Sequence, residues 1–153
     1  MTRISLFNLM GEVFRAASGD LSAGETVVFS STEHSIEKFR SALVDINVTN
    51  IETPDGDDEI DFFVQTSYDK GTTWEDVANF HLDNGDDGVE PQFAVISIGP
   101  APAGVGVFAH SDQALADNTN RDLPLGDHLR IVVVLTGATA PTYDYSARIS
   151  LYG

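Results

Sequence analysis

The chain has 153 residues, 42% of them hydrophobic and 21% charged, with a net charge of −16 and no cysteine. That size and composition suit one folded domain with one good core and exclude a disordered chain. The charge argues against direct contact with nucleic acid or an anionic membrane, and the longest apolar run, Ile131 to Leu135, falls far short of the ~20 residues that span a bilayer.

The amino-terminal stretch from Ile4 to Ala17 has apolar residues at Leu6, Met10, Val13, Phe14 and Ala17, which suits a short helix. Gly11 weakens that reading, and an extended arm or a first strand fits equally well. No basic stretch precedes a clean apolar core with a cleavage site, so no secretory signal is expected, and the lack of cysteine fits folding in a reducing cytosol. Residues 1–22 are therefore set apart as an arm or first strand, and 23–153 as a β-sandwich domain.

Strand signals then follow one another. Thr26 to Ser30 is the first. Ala42 to Thr49 alternates, with Val44, Ile46 and Val48 on one face and Asp45, Asn47 and Thr49 on the other. Ile60 to Ser67 repeats the pattern with Ile60, Phe62 and Val64 inward. Trp74 to Leu82, Phe93 to Ile98 and the shorter Val105 to Ala109 follow. Leu129 to Thr136 is the strongest strand, and its density of β-branched residues places it centrally in a sheet. Tyr143 to Leu151 closes the series. About eight strands separated by turn-rich segments predict an all-β fold, a single β-sandwich of jelly-roll type, with a barrel as the rival. Between them, Ser111 to Pro124 reads as a long polar loop, a kind of segment that often carries function.

The acidic residues cluster. Residues 52 to 90 hold thirteen acids against one base, three quarters of the whole charge imbalance. The turns Asp55-Gly56-Asp57-Asp58-Glu59 and Asp83-Asn84-Gly85-Asp86-Asp87-Gly88 invite calcium, but the EF-hand register puts Ala94 or Thr66 where a bidentate Glu is required, so solvated acidic turns are expected and calcium stays a weak possibility. His34, His81, His110 and His128 form no zinc motif, and His81 reads as a satisfied polar residue on a strand. No metal site and no cofactor are expected. With no nucleophile elbow and no phosphate cradle, no catalytic residue is assigned and a non-enzyme is expected.

The sharpest local pattern is Ser67-Tyr68-Asp69-Lys70-Gly71-Thr72-Thr73-Trp74. It resembles the Asp-box, S-x-D-x-G-x-T-W, known from sialidases and other β folds. The resemblance implies a structural hairpin staple made by Ser67, Asp69, Gly71, Thr73 and Trp74, in which the carboxylate accepts backbone N–H bonds, the glycine takes positive φ and the ring packs over the base. One copy in about eight strands rules out a propeller, so no sialidase residue is carried over.

Residues Asp61 to His81 together with Leu123 to Ile131 resemble small structural proteins of tailed bacteriophages. The resemblance implies a virion component, best a decoration (cement) protein on the outer capsid surface. It would be made in the host cytoplasm, bind the major capsid protein and form a homo-oligomer, with a trimer favoured. Leu6, Phe7, Leu9, Met10 and Phe14 are the candidate capsid or oligomer contacts, because they offer apolar anchors on a terminus that the core does not require. The alternative is a carbohydrate-binding or receptor-binding tail-associated domain, with Trp74, Tyr68 or Tyr143 as stacking surfaces.

Overall fold

The computed structural model describes residues 3–5, 26–30, 41–52, 59–83, 92–98, 109–136 and 142–152. Among them are eight strands: β1 (Arg3–Ser5), β2 (Thr26–Ser30), β3 (Ser41–Glu52), β4 (Glu59–Ser67), β5 (Glu75–Asp83), β6 (Gln92–Ile98), β7 (His128–Thr136) and β8 (Thr142–Tyr152). The fold is all-β. No helix among the described residues is long and apolar enough to cross a membrane.

Alternation produces these strands where it was read. In β3, Ala42, Val44, Ile46 and Val48 are buried while Ser41, Leu43, Asp45 and Asn47 between them stay partly open, the period of two that a pleated strand imposes on one covered face. In β7, Leu129, Ile131 and Val133 are buried, and Val132, on the opposite face, is buried as well. That strand lies between β2 and β4, the central place its β-branched side chains predict.

Two four-stranded antiparallel sheets result, ordered β1-β8-β3-β6 and β2-β7-β4-β5. The pairing has a simple rule. The first strand pairs with the eighth, the second with the seventh, the third with the sixth and the fourth with the fifth, so the chain folds back along itself as one long double ribbon. The further pairs β3·β8 and β4·β7 then assemble successive pieces of that ribbon into sheets. Register shifts interrupt β3 between Val48 and Asn50, and the β4–β5 pair between Val64 and Gln65, where Val77 is the extra residue.

The core is the apolar face of each sheet. Ile60, Phe62 and Val64 of β4 are fully buried beside Leu129, Ile131 and Val133 of β7, with Val44, Ile46, Val48, Ile149 and Leu151 contributed by the other sheet. Burying a side chain such as Phe62 contributes about 1.5–3 kcal/mol, and its ring meets Phe80 at 5.7 Å in a tilted pair.

The one-faced reading of β4 needs correction. Phe63, Gln65 and Ser67, on its other face, are buried too. The segment 109–127, which includes the polar loop Ser111 to Pro124, runs as a strap along the free edge of β5 and bonds Gln65 through Asp112 and Ser67 through Asp127. Asp76 N donates to Ser111 O (2.8 Å), Asn79 N to Thr119 O (2.9 Å) and Arg121 N to Val77 O (2.7 Å), so the strap takes up edge groups that would otherwise template another strand. Ala109 lies in the strap and not in a strand, while 105–108 fall outside the described residues.

At the amino terminus, Arg3, Ile4 and Ser5 pair with Tyr152, Leu151 and Ser150. Leu6, Phe7, Leu9, Met10 and Phe14 lie outside the described residues, as do most of both acidic turns, 55–58 and 84–88.

Candidate functional site

The described polar side chains with the densest bonding gather at one end and along the outward face of the β4–β5 pair. Four groups build this region.

The first is the hairpin between β4 and β5. Ser67 Oγ donates to Asp69 Oδ1 (2.9 Å) and accepts from Gly71 N (2.8 Å). Asp69 Oδ1 accepts from Thr72 N (3.1 Å) and Thr73 N (2.8 Å), and Oδ2 accepts from the Thr73 hydroxyl (2.8 Å). Those bonds, the two from Thr73 foremost, hold the Asp69 carboxyl below its ordinary pKa. Gly71 has φ of 82° and faces the Trp74 ring, whose Nε1 donates back to Gly71 O at 3.1 Å. Ser67, Asp69, Gly71, Thr73 and Trp74 thus form one closed unit.

The second group docks on that hairpin. Gly126 N donates to Thr66 Oγ1 (2.9 Å), Asp127 N to Ser67 O (2.8 Å), Lys70 N to Asp127 Oδ2 (2.9 Å), and the Tyr68 hydroxyl to Pro124 O (2.6 Å). A Cβ on Gly126 would run into the Ser67 carbonyl, so the close approach requires glycine there. The stretches Asp61 to His81 and Leu123 to Ile131 are therefore packed against each other.

The third group anchors the strap. Asp76 is fully buried. Its Oδ1 accepts from Gln65 Nε2 (2.7 Å) and Gln113 N (3.0 Å), and its Oδ2 from the Ser111 hydroxyl (2.6 Å), Ala114 N (3.0 Å) and Leu115 N (3.1 Å). Burial pushes this carboxyl up, but the bonds from Ser111, Gln65 and the strap amides outweigh it and hold the pKa below the ordinary range. Asp76 is ionised with its accepting capacity filled. Beside it Glu75 takes His110 Nδ1 (2.5 Å) and Ser111 N (3.0 Å). Gln65 also donates to Asp112 (2.7 Å) and accepts from Arg130 Nε (2.6 Å), and the Arg130 guanidinium lies over the Trp74 ring at 4.2 Å. Trp74 is thereby buried under a cation and has no open ring face for a sugar. Tyr68, about half exposed, is the exposed large hydrophobic side chain among the described residues.

The fourth group lies farther along the same face. His81 Nδ1 is 2.9 Å from Asp61 Oδ1 and 3.8 Å from Asp117 Oδ1. Burial lowers the His81 pKa, but the bond to Asp61 and the charges of Asp61, Asp117 and Glu59 outweigh it and raise the net value. Asn79 Nδ2 donates to Asp61 Oδ1 (3.0 Å) and to Leu115 O (3.1 Å), leaving Asn79 Oδ1 without a hydrogen-bond partner.

Sequence reading found the hairpin because its residues are contiguous. It missed Asp76, whose strap donors lie 35 to 39 positions away, and missed the grouping of Asp61, Asn79, His81 and Asp117, which belong to three separate segments. The one available signal was the polar residues at outward positions, Asp61, Gln65, Asp76 and Asn79, with Phe63 the apolar exception, on strands otherwise rich in apolar side chains.

No protein-family model matches the chain, and no curated protein does. Among solved structures it is similar to one described as the structure of infectious bursal disease virus, Gx strain, with a TM-score of 0.43 and 17% identity over 98% of this chain and 30% of that one. The chain thus spans less than a third of the length of that neighbour.

Proposed function

We propose that this chain is a virion structural protein, a decoration (cement) protein that docks as a homotrimer on the major capsid protein at the outer surface of a tailed-bacteriophage head. The observation that carries the reading is the strand pairing. A double ribbon that pairs first strand with last and distributes its pieces between the sheets β1-β8-β3-β6 and β2-β7-β4-β5 is how a jelly-roll sandwich is wound, and jelly rolls serve in viral capsid and lectin domains. The bonded hairpin, the docked 123–128 segment and the strap support it further, since a clip that spans subunit boundaries gains affinity from surfaces ordered before contact. A bound clip then stabilises the lattice by mass action.

The test is to mix the purified chain with capsids that lack it, pellet them, and measure the free protein's mass by light scattering. A three-chain particle that pellets with capsids and raises their melting temperature is expected; a monomer left in the supernatant contradicts the proposal.

The exposed Tyr68 favours a second reading, a carbohydrate-binding or tail-associated receptor domain. With Trp74 closed off, that reading rests on Tyr68 and Tyr143, the latter a β8 residue whose side chain lies outside the described ones, and glycan-array binding lost on Tyr68→Ala or Tyr143→Ala would support it over decoration.

A further inference from the structure

The Asp61–His81 pair belongs to a cluster of metal-ligating side chains drawn from three segments. Asp61 comes from β4, His81 from β5 and Asp117 from the strap, and one donor atom from each lies within 4.8 Å of the others. A tetrahedral ion with bonds of 2.0–2.1 Å holds its ligand atoms about 3.3 Å apart. The separations from His81 Nδ1, 2.9 Å to Asp61 and 3.8 Å to Asp117, bracket that spacing. The side chains of His81 and Asp61 are 12% and 13% exposed and that of Asp117 is 66% exposed, so two donors are built into the sheet and the third closes from the solvent side.

The third donor is also held in place. Asn118 takes a positive φ of 51° and its Oδ1 accepts from His81 N at 3.1 Å, while Asn79 N donates to Thr119 O at 2.9 Å, so the two residues that follow Asp117 are pinned to β5.

Asn79 supplies an independent sign. It lies on the same row of β5 as His81, is 4% exposed, and donates from Nδ2 to Asp61 Oδ1. Its Oδ1 has no hydrogen-bond partner, and turning the amide over would set that oxygen against Asp61 and Leu115 O. The side chain that bonds Asp61 thus carries a buried acceptor with no partner, which a cation or its bound water would satisfy.

We propose that Asp61, His81 and Asp117 bind one divalent ion of the zinc class, with a water in the fourth position and Asn79 fixing the orientation of Asp61. Imidazole nitrogen is a poor ligand for calcium or magnesium and a good one for zinc, which sets the metal class. Holding a metal-bound carboxylate by hydrogen bond is the usual task of a residue placed as Asn79 is. The ion ties β4, β5 and the strap together at the edge of the sheet, a role separate from docking on any partner.

The test titrates zinc into the full chain, stripped with a chelator and dialysed, by calorimetry and thermal melts. Asp117→Asn is the variant to compare, since Asp117 is exposed, and Asp122→Asn is the control, an exposed strap acid outside the cluster. One equivalent is expected to saturate and raise the melting temperature, at least tenfold more weakly in Asp117→Asn and unchanged in Asp122→Asn, with calcium and magnesium inert at the same concentration. Absence of binding, several equivalents held equally by all three proteins, or calcium outcompeting zinc would overturn the proposal.

Discussion

Asp76 is buried and ionised at once, and the reason is local: five donors, three of them strap amides, replace the water it gave up. A carboxyl with a depressed folded-state pKa contributes stability that is fully present above its unfolded pKa of about 3.9 and is lost as pH falls through the folded value. Asp76→Asn turns an all-acceptor into a half-donor facing amide hydrogens, so a loss of about 3 kcal/mol at neutral pH is expected in urea unfolding. The same series below about pH 4 should fall less steeply for the variant than for the native chain. Gly126→Ala tests the second group: its new methyl meets the Ser67 carbonyl, and a loss of about 1–3 kcal/mol or more is expected from thermal melts. Of these residues the sequence shows only the hairpin set. Ser67 to Trp74 bond within eight consecutive positions, whereas the environment of Asp76 exists only after the strap has crossed β5.

Strands were readable because burial on one face writes itself into alternate residues, as Ala42, Val44, Ile46 and Val48 do along β3. The strap was not. A segment held by its backbone amides needs no periodicity, so Ser111 to Pro124 looks like any polar loop. The structure predicts that it behaves unlike one. In hydrogen exchange the amides of Gln113, Ala114 and Leu115 should be protected in the native chain, because they donate to Asp76, and should exchange at least tenfold faster in Asp76→Asn while β4 and β7 amides change little. Equal exchange in both proteins would show that the strap is held by something else.

Across the whole molecule, fold and charge point the same way without fixing the function, since one architecture hosts many tasks. The all-β class followed from composition and alternation. The strand order did not, because pairing β1 with β8 is a contact between residues some 150 positions apart that no local pattern announces. A net charge of −16 makes docking on a basic partner surface sensitive to ionic strength, so capsid binding should weaken as salt rises past the range where the screening length is ~8 Å. Copy number per particle, by quantitative mass spectrometry of purified virions, probes the assembly role most directly. Hundreds of copies per head are predicted for a decoration protein; a handful per particle, or none, would contradict it.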